Sequence, residues 1–205
     1  MMRAIKYLLF ICALILSGCR IDVDKSVLLI GDSLMVNALP EISTQVSLSD
    51  DAGVLLMVNA IGGTTFSDAE TGSLYWVIRA PKILSAHNVD KVFISLGTND
   101  AWLAKSIDLE VSAGALMDAY NSVQVYWILP YAELKTLLPA GNTYADVVAA
   151  IRSAAAIRGN VHLLEFDSYV AVHGYSIDDL LLPNDVHFNA SGRKLFAQMI
   201  CDNIL

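Results

Sequence analysis

Cysteine is scarce in this chain. Only Cys12, Cys19 and Cys201 occur among its 205 residues, and no Cys–His–carboxylate cluster has the spacing of a metal site, so neither a metal nor a cofactor is implied. Basic residues are also few, 13 Lys and Arg against 21 Asp and Glu, for a formal net charge of −8. With no basic cluster to offset that balance, nucleic acid and anionic polymers are poor partners. No apolar run approaches the roughly 20 residues that a spanning helix needs. Low-complexity tracts and internal repeats are missing too. What is abundant is apolar residue, 55% of the chain, which suits one domain with a sizeable core and excludes disorder.

Part of that apolar content sits at the N-terminus. Arg3 and Lys6 precede an unbroken apolar run over residues 7–16, and the small residues Ser17 and Gly18 then lead to Cys19. This is the order of a targeting segment, too short for an ordinary anchor helix. The ending Leu16-Ser17-Gly18-Cys19 resembles the lipobox of bacterial lipoproteins. That resemblance implies a signal over residues 1–18, cleavage before Cys19, and lipid on the sulfur and the new amino group of Cys19. Several acyl chains hold a protein on a membrane surface, whereas one holds it only marginally. Arg20 is not the Asp that resembles an inner-membrane retention signal in enteric bacteria, so an outer-membrane location facing the periplasm is the expectation where the cell has one. Without Arg3 and Lys6 the basic count falls from 13 to 11 against 21 acidic residues, a net charge of −10. Cys201 then remains alone, excluding an intramolecular disulfide. It falls among Leu195, Phe196, Met199 and Ile200, which suits a buried small hydrophobe.

Residues 19–26 read as a short lipidated tether and 27–205 as the folded domain, expected to be monomeric. Apolar runs at 27–30, 54–58, 92–96, 123–129 and 161–166 have the length and continuity of strands buried on both faces. Between them lie helix candidates at 72–86, where Pro81 is expected to break or kink the helix, at 108–120, and from a Thr143 cap through 157. A last helix is capped by Asn189, with Leu195, Phe196, Met199, Ile200 and Ile204 on one face. The alternation predicts a three-layer α/β/α sandwich around a mostly parallel five-stranded sheet. In such folds ligands bind beyond the C-terminal strand ends.

Four short segments fall at those ends. Ser33, in Gly31-Asp32-Ser33-Leu34, is either a nucleophile awaiting a base or a helix N-cap. Asp32 is a turn residue or orients the Ser33 loop. Asn99, in Gly97-Thr98-Asn99-Asp100, carries an amide suited to an oxyanion, although every residue there also favours turns. Asn59-Ala60-Ile61-Gly62-Gly63-Thr64-Thr65 offers a backbone N–H at a glycine, or is simply a loop. His187 is the best base, with Asp185 or Asn184 nearest to orient its other nitrogen. His173 is its main rival. His87 suits a helix C-terminus, and His162 lies inside a strand.

Taken together, these segments resemble the SGNH hydrolase family, also called GDSL esterases and lipases. Gly31-Asp32-Ser33-Leu34 matches its first block, Gly63 in Ile61-Gly62-Gly63-Thr64-Thr65 resembles the second, Gly97-Thr98-Asn99-Asp100 matches the third, and Asp185-Val186-His187 resembles the last. The resemblance implies a flavodoxin-like fold, Ser33 as nucleophile, His187 as base, and an oxyanion hole built from the Ser33 N–H, the Gly63 N–H and the Asn99 amide. One departure stands out. The family places its acid three residues before the His, where this chain has Asn184, and the Asp is two before. Asp185 is expected to be the acid, with Asn184 support or a degenerate site as the alternatives.

The expected activity is hydrolysis of small or medium carboxylic esters through an acyl-enzyme, with acetyl groups on envelope glycans, short acyl esters and lysophospholipids as substrate classes. Two alternatives are an O-acyltransferase acting on envelope glycans and a glycan-binding lipoprotein with a relic site. Trp102 and Tyr175 either wall an acyl or sugar pocket or are packing residues.

Overall fold

The computed structural model describes residues 24–49, 53–67, 73–102, 108–131, 142–183 and 185–204. The signal segment, Cys19 and Asn184 lie outside the described residues. Five strands, β1 (Lys25–Gly31), β2 (Val54–Ala60), β3 (Lys91–Ser95), β4 (Gln124–Ile128) and β5 (Val161–Leu164), form one parallel sheet in the order β2-β1-β3-β4-β5. Each strand overlaps one of the five apolar runs, with β1, β2 and β3 extending one or two residues beyond theirs. The helices are α1 (Ser33–Leu48), α2 (Ser73–Ala86), α3 (Leu109–Ala119), α4 (Tyr144–Ala155), α5 (Phe166–Val172) and α6 (Ala190–Ile204), with short 3-10 turns at Asp100–Trp102 and Ile177–Leu180.

Side chains alternate across the sheet with the two-residue period of a strand. On β1, Leu28 and Ile30 join the core under α2, α3 and α4, whereas Val27 and Leu29 join the core under α1, α5 and α6. This is the expected three-layer sandwich. The two outer strands, β2 and β5, are only half buried, so Leu55 and Val58 remain exposed despite their apolar run. An edge strand is covered less completely than a central one.

Local signals fix the helix ends. Thr143 and Asp146 form a reciprocal capping box on α4. Asn189 Oδ1 accepts from the N–H groups of Ser191 (2.9 Å) and Gly192 (3.0 Å) at the start of α6. Pro81 does not end α2, which continues through it to Ala86. The missing N–H costs one helical bond, but Trp76 and Ala80 are both fully buried just before it and tie the helix to the core. Cys201 is buried in α6, and burial pushes its thiol up to about 11.

The order in which strands are added reverses at β1, although all five run parallel. β2 lies on one side of β1, and β3, β4 and β5 follow on the other. Such a switch point opens a crevice beyond the carboxyl ends of the two strands. Gly31 of β1 is in register with Ser95 of β3 and Ala60 of β2, so the loops carrying Ser33, Asn99 and Gly62-Gly63 leave the sheet side by side. Helix α6 packs against α1 and brings the preceding His187 loop to the same edge.

Candidate active site

Ser33 is the first residue of α1, and Asp32, not Ser33, caps the helix, its Oδ1 accepting from the Leu34 N–H at 2.9 Å. The Ser33 hydroxyl is thereby released from capping. Its Oγ lies 2.8 Å from Nε2 of His187. On the far side of the ring, Nδ1 lies 2.7 Å from Asp185 Oδ1. With Nδ1–H donated to the carboxylate, Nε2 is left as the acceptor for the hydroxyl proton. The shift of the acidic residue by one position is accommodated by the loop: Asp185 Oδ1 also accepts from the N–H groups of Val186 (2.7 Å) and His187 (3.2 Å). Partial burial pushes the Asp185 carboxyl up, but the bonds from the His187 ring and these two amides outweigh it and hold the group below the usual carboxylate range.

The loop that carries His187 is clamped from both ends. Leu181 and Phe188 form an antiparallel bridge, and the Leu182 N–H donates to His187 O at 2.8 Å. Tyr131, beyond β4, stacks on Phe188 with centroids 5.3 Å apart and donates its hydroxyl to Val186 O at 3.2 Å.

Opposite the imidazole are the glycine loop and Asn99. A methyl group at Gly62 would sit 3.8 Å from Ser33 Cβ, so the backbone of this loop passes directly beside the nucleophile. Gly63 has φ +76 and, among the described residues, no neighbour within 4 Å of where a Cβ would be, a left-handed position suited to glycine. The Asn99 Nδ2 group donates to Thr64 O (2.9 Å) and to Asp32 Oδ2 (3.2 Å). Both of its N–H groups are therefore engaged in this state, and the longer bond to Asp32 is the one an arriving oxyanion would share or displace.

Two buried carboxylates hold this frame. Asp32 is fully buried and joins the α1 cap to the Asn99 amide. Burial pushes it up to about 7; the Leu34 N–H opposes the shift and the charge of Asp100 adds to it. Asp100 Oδ1 accepts from the Ser67 hydroxyl (2.5 Å) and N–H (2.9 Å), and both of its oxygens lie within reach of the Phe66 N–H (3.2 and 3.1 Å). Burial raises Asp100 to about 6 against these bonds. The glycine loop is thus stapled to the Asn99 turn.

The remaining sequence candidates fall elsewhere. His173 Nδ1 bonds Tyr169 O (2.8 Å) at the end of α5. His162 bonds Gln124 (2.8 Å) and stacks on Tyr126, a packing role. His87 follows α2. Trp102 is half exposed in the turn after Asn99, while Tyr175 lines a groove between α1 and α6 rather than the rim of Ser33. Sequence reasoning missed Asp100, Thr64 and Ser67. Asp100 stood in a quoted motif, but nothing local signals a partner 33 residues away.

A serine, an imidazole and a carboxylate in hydrogen-bonded series, set at the switch point of a parallel α/β sheet, define the hydrolase class that works through an acylated serine. The chain belongs to the GDSL-like lipase/acylhydrolase family, whose model matches residues 29–195, and it is a carboxylic ester hydrolase. Solved structures agree on the fold. A lipase/acylhydrolase from Enterococcus faecalis is similar over 88% of this chain and 95% of its own, at 20% identity and TM-score 0.66. Est24, a carbohydrate acetylesterase from Sinorhizobium meliloti, is similar over 88% and 98%, at 17% identity and TM-score 0.62. A variant of Axe2, an acetyl-xylooligosaccharide esterase from Geobacillus, is similar over 88% and 94%, at 16% identity and TM-score 0.63. No curated protein sequence matches the chain.

Proposed function

We propose that the protein is a lipid-anchored serine esterase that removes acetyl or other short acyl groups from glycans of the cell envelope. Ser33 Oγ attacks the ester carbon as its proton passes to His187 Nε2. The carbonyl oxygen becomes an oxyanion, received by the Ser33 N–H, the Gly63 N–H and the Asn99 amide. As the first residue of a helix, Ser33 has an N–H with no intrahelical partner. The tetrahedral intermediate then collapses: the C–O bond to the alcohol breaks, and His187 returns its proton to the leaving alkoxide. Water adds to the acyl-enzyme with His187 again as base, and the carboxylic acid leaves with Ser33 restored. Asp185 fixes the ring tautomer and stabilises the imidazolium.

The observation that carries this reading is the series Ser33–His187–Asp185 at 2.8 and 2.7 Å. It also speaks against a relic site, because the displaced acid still reaches the imidazole. The direction of β1 bears on the substrate. That strand begins at Lys25, at the end of the sheet opposite Ser33, and its seven residues span about 23 Å. A lipid on Cys19 would place the catalytic edge away from the anchoring membrane, which favours a glycan ester over a lysophospholipid of that membrane. The carbohydrate esters named for Est24 and Axe2 are of the same class.

The test is turnover of p-nitrophenyl acetate and butyrate by the full chain in detergent, beside Ser33→Ala. Turnover is expected to vanish in Ser33→Ala while the circular dichroism and melting point persist; wild-type turnover in that variant would overturn the assignment. Mass spectrometry of the membrane-extracted protein tests the anchor, with acylated Cys19 as the expected N-terminus.

A further inference from the structure

Residues 181–188 carry both His187 and Asp185, and most of their hydrogen bonds are local. Asp185 accepts from the next two amides and from the His187 ring. The Leu182 N–H closes the turn on His187 O, and Leu181 bridges Phe188. Asn189 and Arg193, just along the chain, donate to Leu181 O and Phe188 O. A loop bonded in this way holds its acid against its base without holding either against Ser33. Among the described residues, two hydrogen bonds join residues 181–188 to more distant parts of the chain: the one between His187 and Ser33, and one from Tyr131. Tyr131 meets the loop on both sides of His187. Its hydroxyl donates to the carbonyl of the preceding residue, Val186, at 3.2 Å. Its ring stacks on the following residue, Phe188, with centroids 5.3 Å apart and planes 17° from parallel. Phe166 packs edge-on against both rings, with centroids 5.2 Å from each. The residue before Tyr131 faces the oxyanion side. A Cβ on Gly97 would lie 2.6 Å from Pro130 Cγ, so the Pro130 ring is seated on the backbone that leads to Asn99.

We propose that Tyr131 is a positioning residue for His187, and that Pro130-Tyr131, at the end of β4, is the strut that sets the base loop against the turn carrying Asn99. The proposal rests on the Ser33–His187 reading above and adds what keeps the imidazole at its distance from the nucleophile. The acid does not do this alone. The His187 and Asp185 side chains are 32% and 42% exposed, so water screens their attraction, and both ride on the same loop. A ring packed among other rings in the core has one place to sit and transmits it. The Tyr131 hydroxyl also remains a neutral donor at any working pH. Burial pushes it well above its ordinary value near 10, and the charges of Asp32, Tyr144 and Asp185 add to the shift. The precision matters because reacting groups must meet at about 3 Å, and a misplacement of about 1 Å can cost about a hundredfold in rate.

The experiment is a double-mutant cycle on the full chain. Tyr131→Phe removes the hydroxyl and keeps the stack, and Tyr131→Leu removes both. Each is made alone and together with His187→Ala, and kcat and KM are measured on p-nitrophenyl acetate. Competent sites in the two single variants are counted by labelling Ser33 to completion with a fluorophosphonate. Tyr131→Phe is expected to lower kcat about tenfold, the loss of one well-made contact, and Tyr131→Leu about a hundredfold. KM and the count of labelled sites are expected to stay at the wild-type values, and the melting point of Tyr131→Phe to change little. In the His187→Ala background neither substitution is expected to lower the residual rate further, because no imidazole is left to misplace. A kcat within about twofold of wild type in both single variants overturns the proposal. So does a loss that persists in full beside His187→Ala, or one matched by a fall in labelled sites, since either gives Tyr131 a structural role only. Failure of the esterase reading is read separately, as wild-type turnover in Ser33→Ala.

Discussion

Asp32 serves two partners at once, the N-cap of α1 and the amide of Asn99. Asp32→Asn keeps the shape but weakens the acceptor, and an amide in that position competes with Asn99 for orientation. The expected result is a fall in kcat of about tenfold or more with KM little changed, because Asn99 is misaimed only when the oxyanion forms. Asn99→Ala removes the donor itself and is expected to lower kcat by about a hundred- to a thousandfold. Asp185→Asn leaves Ser33 and His187 in contact but spoils the tautomer. A comparable change in a serine protease costs about 10⁴ in turnover, and steady-state kinetics on p-nitrophenyl acetate reads all three. At this scale the sequence was informative where a residue's role is local. Ser33 as nucleophile or cap stayed open, and the structure separates the two by giving the cap to Asp32. The placing of Asp185 one position late was visible, but not that a loop closed by Leu182 and His187 would bring its Oδ1 to the ring. The link from Asp100 to Ser67 is fixed by folding and has no local signature.

The elements were more legible than their ends. Runs of Val, Ile and Leu marked all five strands because a parallel sheet covered on both faces needs continuous apolar sequence. The edge position of β2 and β5 was hidden, since pairing order is a property of the whole sheet. Helix α5 and the 3-10 turn at Ile177–Leu180 carry no clear apolar period; they are short and are held by contacts such as the Phe166 ring against Tyr131, Phe188 and Phe196. Pro81 shows the limit of a local rule, because burial on the preceding turn outweighs one missing bond. Two substitutions test how the elements are held. Thr143→Ala removes one half of the α4 capping box and is expected to destabilise by about 1 kcal/mol in urea unfolding. Gly97 has φ +126, and a Cβ there would lie 2.6 Å from Pro130 Cγ and 3.2 Å from Val147 Cγ1. Gly97→Ala must both strain the backbone and displace the ring that follows β4, at about 2 kcal/mol or more. Because the same turn leads directly to Asn99, it is also expected to reduce kcat on p-nitrophenyl acetate.

Across the whole molecule, stability and activity are set against each other by the two buried carboxylates. Asp32 is pushed up to about 7 and Asp100 to about 6, both from an ordinary value near 3.8, and in each case burial is the largest cause. Between pH 4 and 7 the folded protein thus binds more protons at these positions than the unfolded chain does, and stability must fall as pH rises through that window. Each proton contributes a slope of at most about 1.4 kcal/mol per pH unit, which for a domain of this size is about 3 °C in melting point. Asp185 acts in the opposite sense, but its depressed value confines its effect to pH below the ordinary carboxylate range. The melting point is therefore expected to be higher at pH 5 than at pH 7.5, and Asp32→Asn, which is neutral throughout, to flatten that dependence. Catalysis asks for the reverse, since His187 must be unprotonated to accept the Ser33 proton and an ionised Asp32 is the stronger acceptor for Asn99. Melting curves and p-nitrophenyl acetate turnover recorded on one pH series are expected to run in opposite directions between pH 5 and 7.5. A melting point that rises over the same interval in the wild-type protein, with Asp32→Asn no different, would show that these carboxylates ionise in the folded state as freely as in water, and that the frame around Asn99 is not held as described.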